Sequence, residues 1–273
     1  MESSLIPRTE RLTAPTRPAL YWTLADALIL AKRHLVQIPR IPEELIFATI
    51  QPVMFVLLFR YVFGGAIAIS GTTYANYLMA GIFGQTVIFG STSTGIGLAF
   101  DIQKGLVDRF RSLPMAKSAV LTGRIISDIV RNTVIIIVMW IVGVLVGFRP
   151  EGSIFAWLGA VGLLLFASLA FSWISATISL SVRSVEAAQS ASFIWLFPLT
   201  FASSAFVQTS TMPTWLRIFS EHQPVTLLVN SVRGLLLNHP DAATIWQTLA
   251  WYIGILVVFT PLAIWVYSRR IAR

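Results

Sequence analysis

The stretch FAWLGAVGLLLFASLAFSWISATISLSV, from Phe155 to Val182, decides the fold. It contains no Asp, Glu, Lys or Arg, and its hydroxyl residues are serines and one threonine. A helix needs about 20 predominantly apolar residues to cross the hydrocarbon core of a bilayer. The stretch is long enough for that, so it predicts a transmembrane helix.

Five further segments resemble it in composition. The six predicted spans cover residues 45–66, 77–100, 125–148, 155–182, 191–207 and 245–267. The composition of the whole chain also indicates a membrane protein. Of its 273 residues, 56% are hydrophobic and only 12% are charged, whereas an ordinary soluble domain has about 25% charged residues. The mean hydropathy is +0.76. We therefore predict an all-α integral membrane protein with six transmembrane helices.

Positive charge is concentrated on one predicted side of the membrane. Most Lys and Arg residues precede the first span, lie between the second and third, or follow the last, whereas the opposite side holds only Arg149, Arg217 and Arg233. By the positive-inside rule, both termini are expected in the cytoplasm. The net charge of +8 is then explained by membrane orientation, which we favour over nucleic-acid binding.

Two regions do not fit a simple crossing. Residues 20–38 mix apolar and ionisable side chains, which predicts an amphipathic helix at the cytoplasmic interface. Between the fifth and sixth spans, residues 225–237 are apolar but too short to cross, and residues 214–220 form another short stretch. We expect a pair of external re-entrant helices there. An ordinary external loop is the alternative.

Several enzyme motifs are missing from the sequence. It has no cysteine, no G-x-x-x-x-G-K-[ST] nucleotide loop, no H-E-x-x-H zinc motif and no G-x-S-x-G nucleophile elbow. The Ser/Gly tract at residues 90–97 lacks a lysine and lies inside an apolar span, so it indicates close helix packing.

Ionisable residues inside spans are candidates for function. Arg60 lies late in the first span and either reaches the interface with its long side chain or contacts a substrate. Arg124, Asp128 and Arg131 are spaced four and three apart, on one helix face. We expect them at the cytoplasmic entry of the third span, as an ion-paired cluster and not as a proton relay.

Serines and phenylalanines supply the other candidates. Four serines between Ser168 and Ser179 recur every three or four residues and either offer hydroxyls to a substrate or pack against a neighbouring helix. The fifth span is the most aromatic, and it faces lipid, a partner or a large apolar substrate. The candidate substrate path comprises Phe193, Phe197, Phe201, Ser172, Ser175 and Arg60.

The segment DIQKGLVDRFRSLP, from Asp101 to Pro114, connects the second and third spans. Leu106, Phe110 and Leu113 share one face, and charged residues occupy the others. The pattern predicts a short amphipathic cytoplasmic helix that ends at Pro114. It either rests on lipid headgroups or docks on a protein.

Several motifs follow one another in a recognisable order. They are Arg40-x-Pro42 with QPVMFVLLF at 51–59 and YVFGGAI at 61–67, the acid-x-x-x-Gly motif from Asp101 to Gly105 with Arg109 and Ser112-Leu-Pro114, and Met212-Pro213-x-Trp215-Leu216 with Gln223-Pro224 and Val232-Arg233. On these residues the chain resembles, over nearly its whole length, the permease subunit of a bacterial type-2 ABC exporter. The resemblance is greatest to the daunorubicin/doxorubicin-resistance family. Asp101, where many relatives carry Glu, and Arg60, at a position that is usually apolar, are departures.

The resemblance implies a permease that pairs with a second permease, identical or homologous, and with two cytoplasmic ABC ATPase subunits that bind ATP and Mg. It also implies a coupling helix near Asp101 and external re-entrant helices over 213–237. The implied ATPase-coupling residues are Asp101, Lys104, Gly105, Leu106, Asp108, Arg109, Phe110, Arg111 and Pro114.

We therefore expect a cytoplasmic tail and interfacial helix over 1–44 and a six-span permease domain over 45–273. The expected function is to export a hydrophobic or amphipathic drug, antibiotic or lipid across the bacterial inner membrane. We expect contact with membrane lipids, no nucleic acid, and no cofactor or metal bound by this chain. The alternatives are a lipid-modifying membrane enzyme, for which the sequence offers no catalytic constellation, and a passive channel.

Overall fold

The fold is that of a computed structural model, which describes residues 29, 31–32, 42–65, 69, 72–105 and 117–271. The described part of the chain is helical and contains no strand. Its helices are α1 (Pro42–Leu57, continued by a π-helical segment, Leu58–Phe63), α2 (Tyr74–Gly90), α3 (Thr92–Gln103), α4 (Lys117–Val146), α5 (Ile154–Ser181), α6 (Val185–Phe201), α7 (Thr214–His222), α8 (Pro224–Leu236) and α9 (Ala242–Ile271).

Three of the described helices are long and apolar enough to cross a membrane. The spanning portions are Leu121–Val146, Ile154–Ser181 and Ala242–Arg270, and shorter apolar helices cover Ala48–Phe63 and Pro224–Leu236. The helical membrane architecture is thus confirmed. The count of six spans stays a prediction.

The second predicted span is divided at Ser91. The Ser91 hydroxyl donates to the Ile88 carbonyl at 2.6 Å, and the Thr92 hydroxyl donates to the Phe89 carbonyl at 2.7 Å. Such bonds from a side chain to the preceding turn bend helices. The chain therefore forms α2 and α3 as two helices where the sequence predicts one span.

Small residues let these helices approach their neighbours closely, as the Ser/Gly tract predicts. A Cβ on Gly95 would overlap the hydroxyls of Ser175 and Ser179 on α5, and a Cβ on Gly81 would overlap the Ala205 carbonyl. The serine stripe of α5 therefore packs against α3. A larger residue at either glycine would force the backbones apart.

Polar contacts join neighbouring helices at each end of the bundle. At one end, Arg124 at the start of α4 meets Asp101 near the end of α3, and Arg270 of α9 donates to the Val182 carbonyl at 2.8 Å. At the other end, the Arg149 backbone N–H donates to the Asn76 side chain at 2.9 Å. We call these the Asp101 end and the Asn76 end.

The chain between α6 and α9 forms two short helices, as the sequence predicts. Helix α8 packs against α2, α5 and α9, and its Leu228 and Val232 are fully buried. The Tyr252 hydroxyl donates to the Pro224 carbonyl at 3.0 Å, about 15 Å along α9 from its first residue. Because α8 ends near the start of α9, it occupies only part of the depth of the bundle. Helix α7 is largely exposed.

Two boundaries differ from those predicted. Helix α4 begins at Lys117, before the predicted start of the third span at residue 125, so Arg131 lies about 21 Å along the helix. Asp101 belongs to the last turn of α3, and the chain turns at Gly105, whose φ is +68°. A positive φ is common where a helix ends, and α3 accordingly ends at Gln103, beyond the predicted end of the second span at residue 100.

Two predicted elements lie mainly outside the described residues. Of the interfacial helix, Ile29, Ala31 and Lys32 are described and helical. The Ala31 carbonyl accepts a hydrogen bond from Ser127 on α4, at 3.1 Å. Of the coupling segment, residues 106–114 are not described.

Candidate functional site

A cavity of about 140 Å³ lies between α1, α2, the start of α3, α4 and α6. It is partly open and lined by polar and aromatic residues, which we call its polar wall and its aromatic wall. Its lining residues are Ala48, Gln51, Pro52, Phe55, Gln85, Thr86, Phe89, Gly90, Thr92, Ser93, Arg131, Ile135 and Phe193. Gln85 and Arg131 lie about 17 Å along α2 and about 15 Å inside the α4 span. The cavity therefore lies between the Asp101 end and the Asn76 end of the bundle, beside the break between α2 and α3.

The polar wall carries atoms that have no hydrogen-bond partner among the described residues. They are both terminal atoms of the Gln85 amide, the Thr86 hydroxyl and Nε of Arg131. Gln85 is 3% exposed and Thr86 is 7% exposed. Buried polar groups are nearly always hydrogen-bonded in native structures. These atoms are themselves buried, so a polar group in the cavity pairs with them when the Gln85 and Thr86 side chains turn toward it.

Arg131 is held in place by two contacts. It pairs with Asp128 at 3.1 Å and donates to the Gly90 carbonyl at 2.9 Å. Asp128 in turn accepts a hydrogen bond of 2.5 Å from Thr94 on α3. The predicted ion pair within α4 is confirmed for these two residues, whereas Arg124 pairs with Asp101 at 2.6 Å instead.

The aromatic wall continues as a row of rings, which we call the aromatic row: Phe193, Phe89, Phe197, Phe201 and Phe206. Consecutive members have ring centroids 6.1, 5.3, 5.7 and 5.2 Å apart for the pairs Phe193–Phe89, Phe89–Phe197, Phe197–Phe201 and Phe201–Phe206. Phe197 and Phe201 are each 41% exposed. The row therefore offers an apolar surface that leads from the cavity to the outside of the chain.

The predicted substrate-path residues divide into two groups. Phe193 lines the cavity, and Phe197 and Phe201 extend from it in the aromatic row. Ser172 and Ser175 are buried against α3, where Ser172 Oγ lies 3.1 Å from Thr94 Oγ1 and Ser175 donates to the Thr92 carbonyl at 3.3 Å. They do not line the cavity.

Arg60 also lies away from the cavity lining. It belongs to the π-helical segment that carries Phe59 and Phe63, and the Phe59 ring stacks on Phe206 at 4.4 Å. Arg60 follows Phe59 in the chain, and Phe59 contacts the last member of the aromatic row. The Arg60 side chain is partly exposed.

Sequence reasoning missed Gln85 and Thr86. The available signal was a carboxamide in an otherwise apolar stretch, because a Gln inside a span needs a partner. That these two residues line the same cavity as Arg131, on another helix, could be seen only from the three-dimensional structure.

The Asp101 end is organised by the ion pair between Asp101 and Arg124, whose side chains are 19% and 18% exposed. A Cβ on Gly97 would overlap the Arg124 guanidinium. A larger residue at this position would require the guanidinium to move from its present place beside Asp101. Lys104, one turn beyond, lies over the Phe100 ring at 4.2 Å.

A helical membrane bundle with a partly polar cavity at depth is typical of membrane transport proteins. Among the described residues no group of His, Asp and Glu is arranged to hold a metal ion. The profile of the ABC-2 type transporter family matches residues 26–237. The chain belongs to this family and is a membrane permease of the ABC transporter class.

Its relatives include permeases named for drug resistance. The chain is 31% identical to a daunorubicin resistance ABC transporter permease of Streptomyces coeruleorubidus, over 95% of this chain and 92% of the relative. It is 26% identical to a probable doxorubicin resistance ABC transporter permease of Mycobacterium tuberculosis, over 88% of each. A putative transport permease of Cyanophora paradoxa is 25% identical, over 79% of this chain and 75% of the relative.

Proposed function

We propose that this permease exports a hydrophobic or amphipathic compound, driven by ATP hydrolysis in a separate subunit. The cavity and the aromatic row carry the proposal, because together they offer polar partners and a continuous apolar surface inside the bundle. Aromatic side chains bind large planar compounds with little loss of rotamer freedom. The names of two relatives, which refer to daunorubicin and doxorubicin resistance, point to compounds of the same kind.

The proposed substrate path runs from the cavity along the aromatic row, and Phe193, Phe197 and Phe201 contact the substrate. Ser172 and Ser175 serve helix packing instead, since their hydroxyls contact α3. Arg60 contacts a substrate only if the compound extends past Phe206, the end of the row that the Phe59 ring contacts.

The proposed assembly contains two permeases, identical or homologous, and two cytoplasmic ATPase subunits that bind ATP and Mg. The sequence of this chain has no nucleotide loop, so the ATPase has to come from a partner. The protein lies in the bacterial inner membrane with six spans and both termini in the cytoplasm, and α7 and α8 re-enter the membrane from outside. Burial of α8 among three helices supports that placement, because non-spanning backbone is tolerated in a membrane where protein covers it.

Coupling to the ATPase is proposed for the segment from Asp101 to Pro114. The ion pair of Asp101 with Arg124 fixes the start of this segment to α4, and α4 also carries Arg131 at the cavity. Nucleotide-driven movement of the segment would therefore reach the cavity through one helix. Coupling of this kind requires a structural element whose conformation depends both on the ATPase and on the cavity, and α4 is that element here.

Co-purification and ATPase measurements test the proposal. The tagged permease, extracted from its native membrane, should bring down an ABC ATPase whose activity in reconstituted vesicles rises on addition of daunorubicin. The change Phe197→Ala should alter that stimulation, while Ile194→Ala, at an exposed α6 position, should not. Absence of an associated ATPase would contradict the proposal.

A further inference from the structure

We propose that the cavity binds one aromatic ring that bears a neutral hydrogen-bonding group, such as a hydroxyl or a carbonyl. The ring's polar group contacts Gln85, Thr86 and Arg131, and the remainder of the molecule lies along the aromatic row. This inference rests on the proposed function and names the part of the substrate that the site selects.

The size of the cavity limits what it holds. Its volume is about 140 Å³, close to that of an engineered apolar cavity of about 150 Å³ that accommodates benzene. One ring fills a volume of this size. A larger compound must leave its remaining rings outside, where Phe193 and the exposed Phe197 and Phe201 provide a surface for them.

The unpaired polar atoms determine the chemistry of the bound group. Gln85 supplies both an N–H donor and a carbonyl acceptor, Thr86 supplies a hydroxyl, and Arg131 supplies an N–H at Nε, none with a partner in the described part of the chain. A buried donor or acceptor left unpaired is costly. A ligand hydroxyl satisfies an acceptor and a donor of this wall at once, and a carbonyl satisfies its donors.

The charge balance of the site favours a neutral group. The guanidinium of Arg131 is already compensated by Asp128 at 3.1 Å, inside the same cluster. An anionic ligand would compete with Asp128 for the arginine, and a cationic one would face Arg131. Uncompensated charge is expensive within a membrane span. The site therefore selects by hydrogen bonding and shape.

A matched pair of probes isolates the hydrogen-bonding contribution. 2-Naphthol and 2-methylnaphthalene share both rings and differ by a hydroxyl in place of a methyl group. Binding of each is measured to the permease with its co-purified ATPase in lipid nanodiscs, and uptake by empty nanodiscs is subtracted. We expect 2-naphthol to bind about tenfold more tightly, as for one hydrogen-bonded group that would otherwise stay unpaired.

Variants assign that preference to the cavity. Gln85→Leu and Thr86→Val should each reduce the preference for 2-naphthol at least threefold and leave binding of 2-methylnaphthalene nearly unchanged. The matched controls are Gln247→Leu, at an exposed α9 position, and Thr133→Val, whose hydroxyl bonds to the Ile129 carbonyl within α4. Both should retain the wild-type preference. Co-purification of the ATPase verifies that each variant is assembled.

Equal binding of the two probes to the wild-type protein would overturn the inference and leave the cavity as a site for water. A preference that survives both Gln85→Leu and Thr86→Val would also overturn it. Failure here is distinguishable from failure of the proposed function. If ATP-dependent daunorubicin stimulation persists while the probe preference is absent, the selectivity assignment alone is wrong.

Discussion

Arg233 of α8 joins three parts of the protein, and its removal should open the Asn76 end. The guanidinium lies over the Tyr77 ring at 3.6 Å and donates to the Ser204 carbonyl at 2.8 Å and to the Asn230 side chain at 2.8 Å. It therefore ties α8 to α2 and to the turn that follows α6. We consider the change Arg233→Ala.

The magnitude follows from the interactions that the guanidinium makes. A hydrogen bond to a charged group contributes about 1.5–3 kcal/mol, and a cation–π contact contributes about 0.5–2 kcal/mol. Because such contributions are not additive, we expect the anchoring of α8 to weaken by about 2–4 kcal/mol in total. At the lower value, local opening of α8 becomes about 30-fold more frequent.

Thiol labelling measures this opening directly, because the chain has no cysteine of its own. A cysteine at Leu228, which is fully buried on α8, should react slowly with a membrane-impermeant reagent added outside. Arg233→Ala should accelerate its reaction about 30-fold, and Arg233→Lys should do so less. A cysteine at the exposed Glu151 is the control and should label at one rate in all backgrounds. An unchanged rate at Leu228 would refute the anchoring role.

Further predictions concern the Asp101 end, the coupling segment and the aromatic row. Gly97→Ala should displace Arg124 from its ion pair and lower the free energy of unfolding by about 1–3 kcal/mol. It should also reduce drug-stimulated ATPase activity. The control Gly254→Ala, with open space around it, should change neither. Phe197→Ala should change which compounds stimulate ATP hydrolysis, measured over a panel, without loss of assembly. Gly105→Ala strains the backbone at φ +68° by about 1 kcal/mol and should weaken ATPase association in pull-downs.

Much of the architecture could be predicted from hydropathy. Helix α5 agrees with its predicted span to within one residue at each end, because an uncharged stretch of that length has few alternatives. The two short helices before α9 were predicted because Pro224 and the limited length of the apolar run exclude a crossing. These properties are local, so a single sequence contains them.

The rest depended on contacts between helices. The break at Ser91 arises from hydroxyl groups bonding to the preceding turn, within a Ser/Gly tract whose composition predicts only a packing surface. The pairing of Arg124 with Asp101, and not with Asp128, follows from how α3 and α4 cross. The cavity likewise needs Gln85 and Arg131 on different helices to meet. The spacing of residues along one helix does not predict distances between residues on different helices.

ATP-dependent export in proteoliposomes tests the central claim most directly. Vesicles containing the permease with its co-purified ATPase, and with nucleotide sites facing outward, should accumulate daunorubicin in their lumen when ATP and Mg are added. Accumulation should cease when a non-hydrolysable ATP analogue replaces ATP. Equal movement of the drug with and without ATP hydrolysis would contradict the account and identify a passive channel.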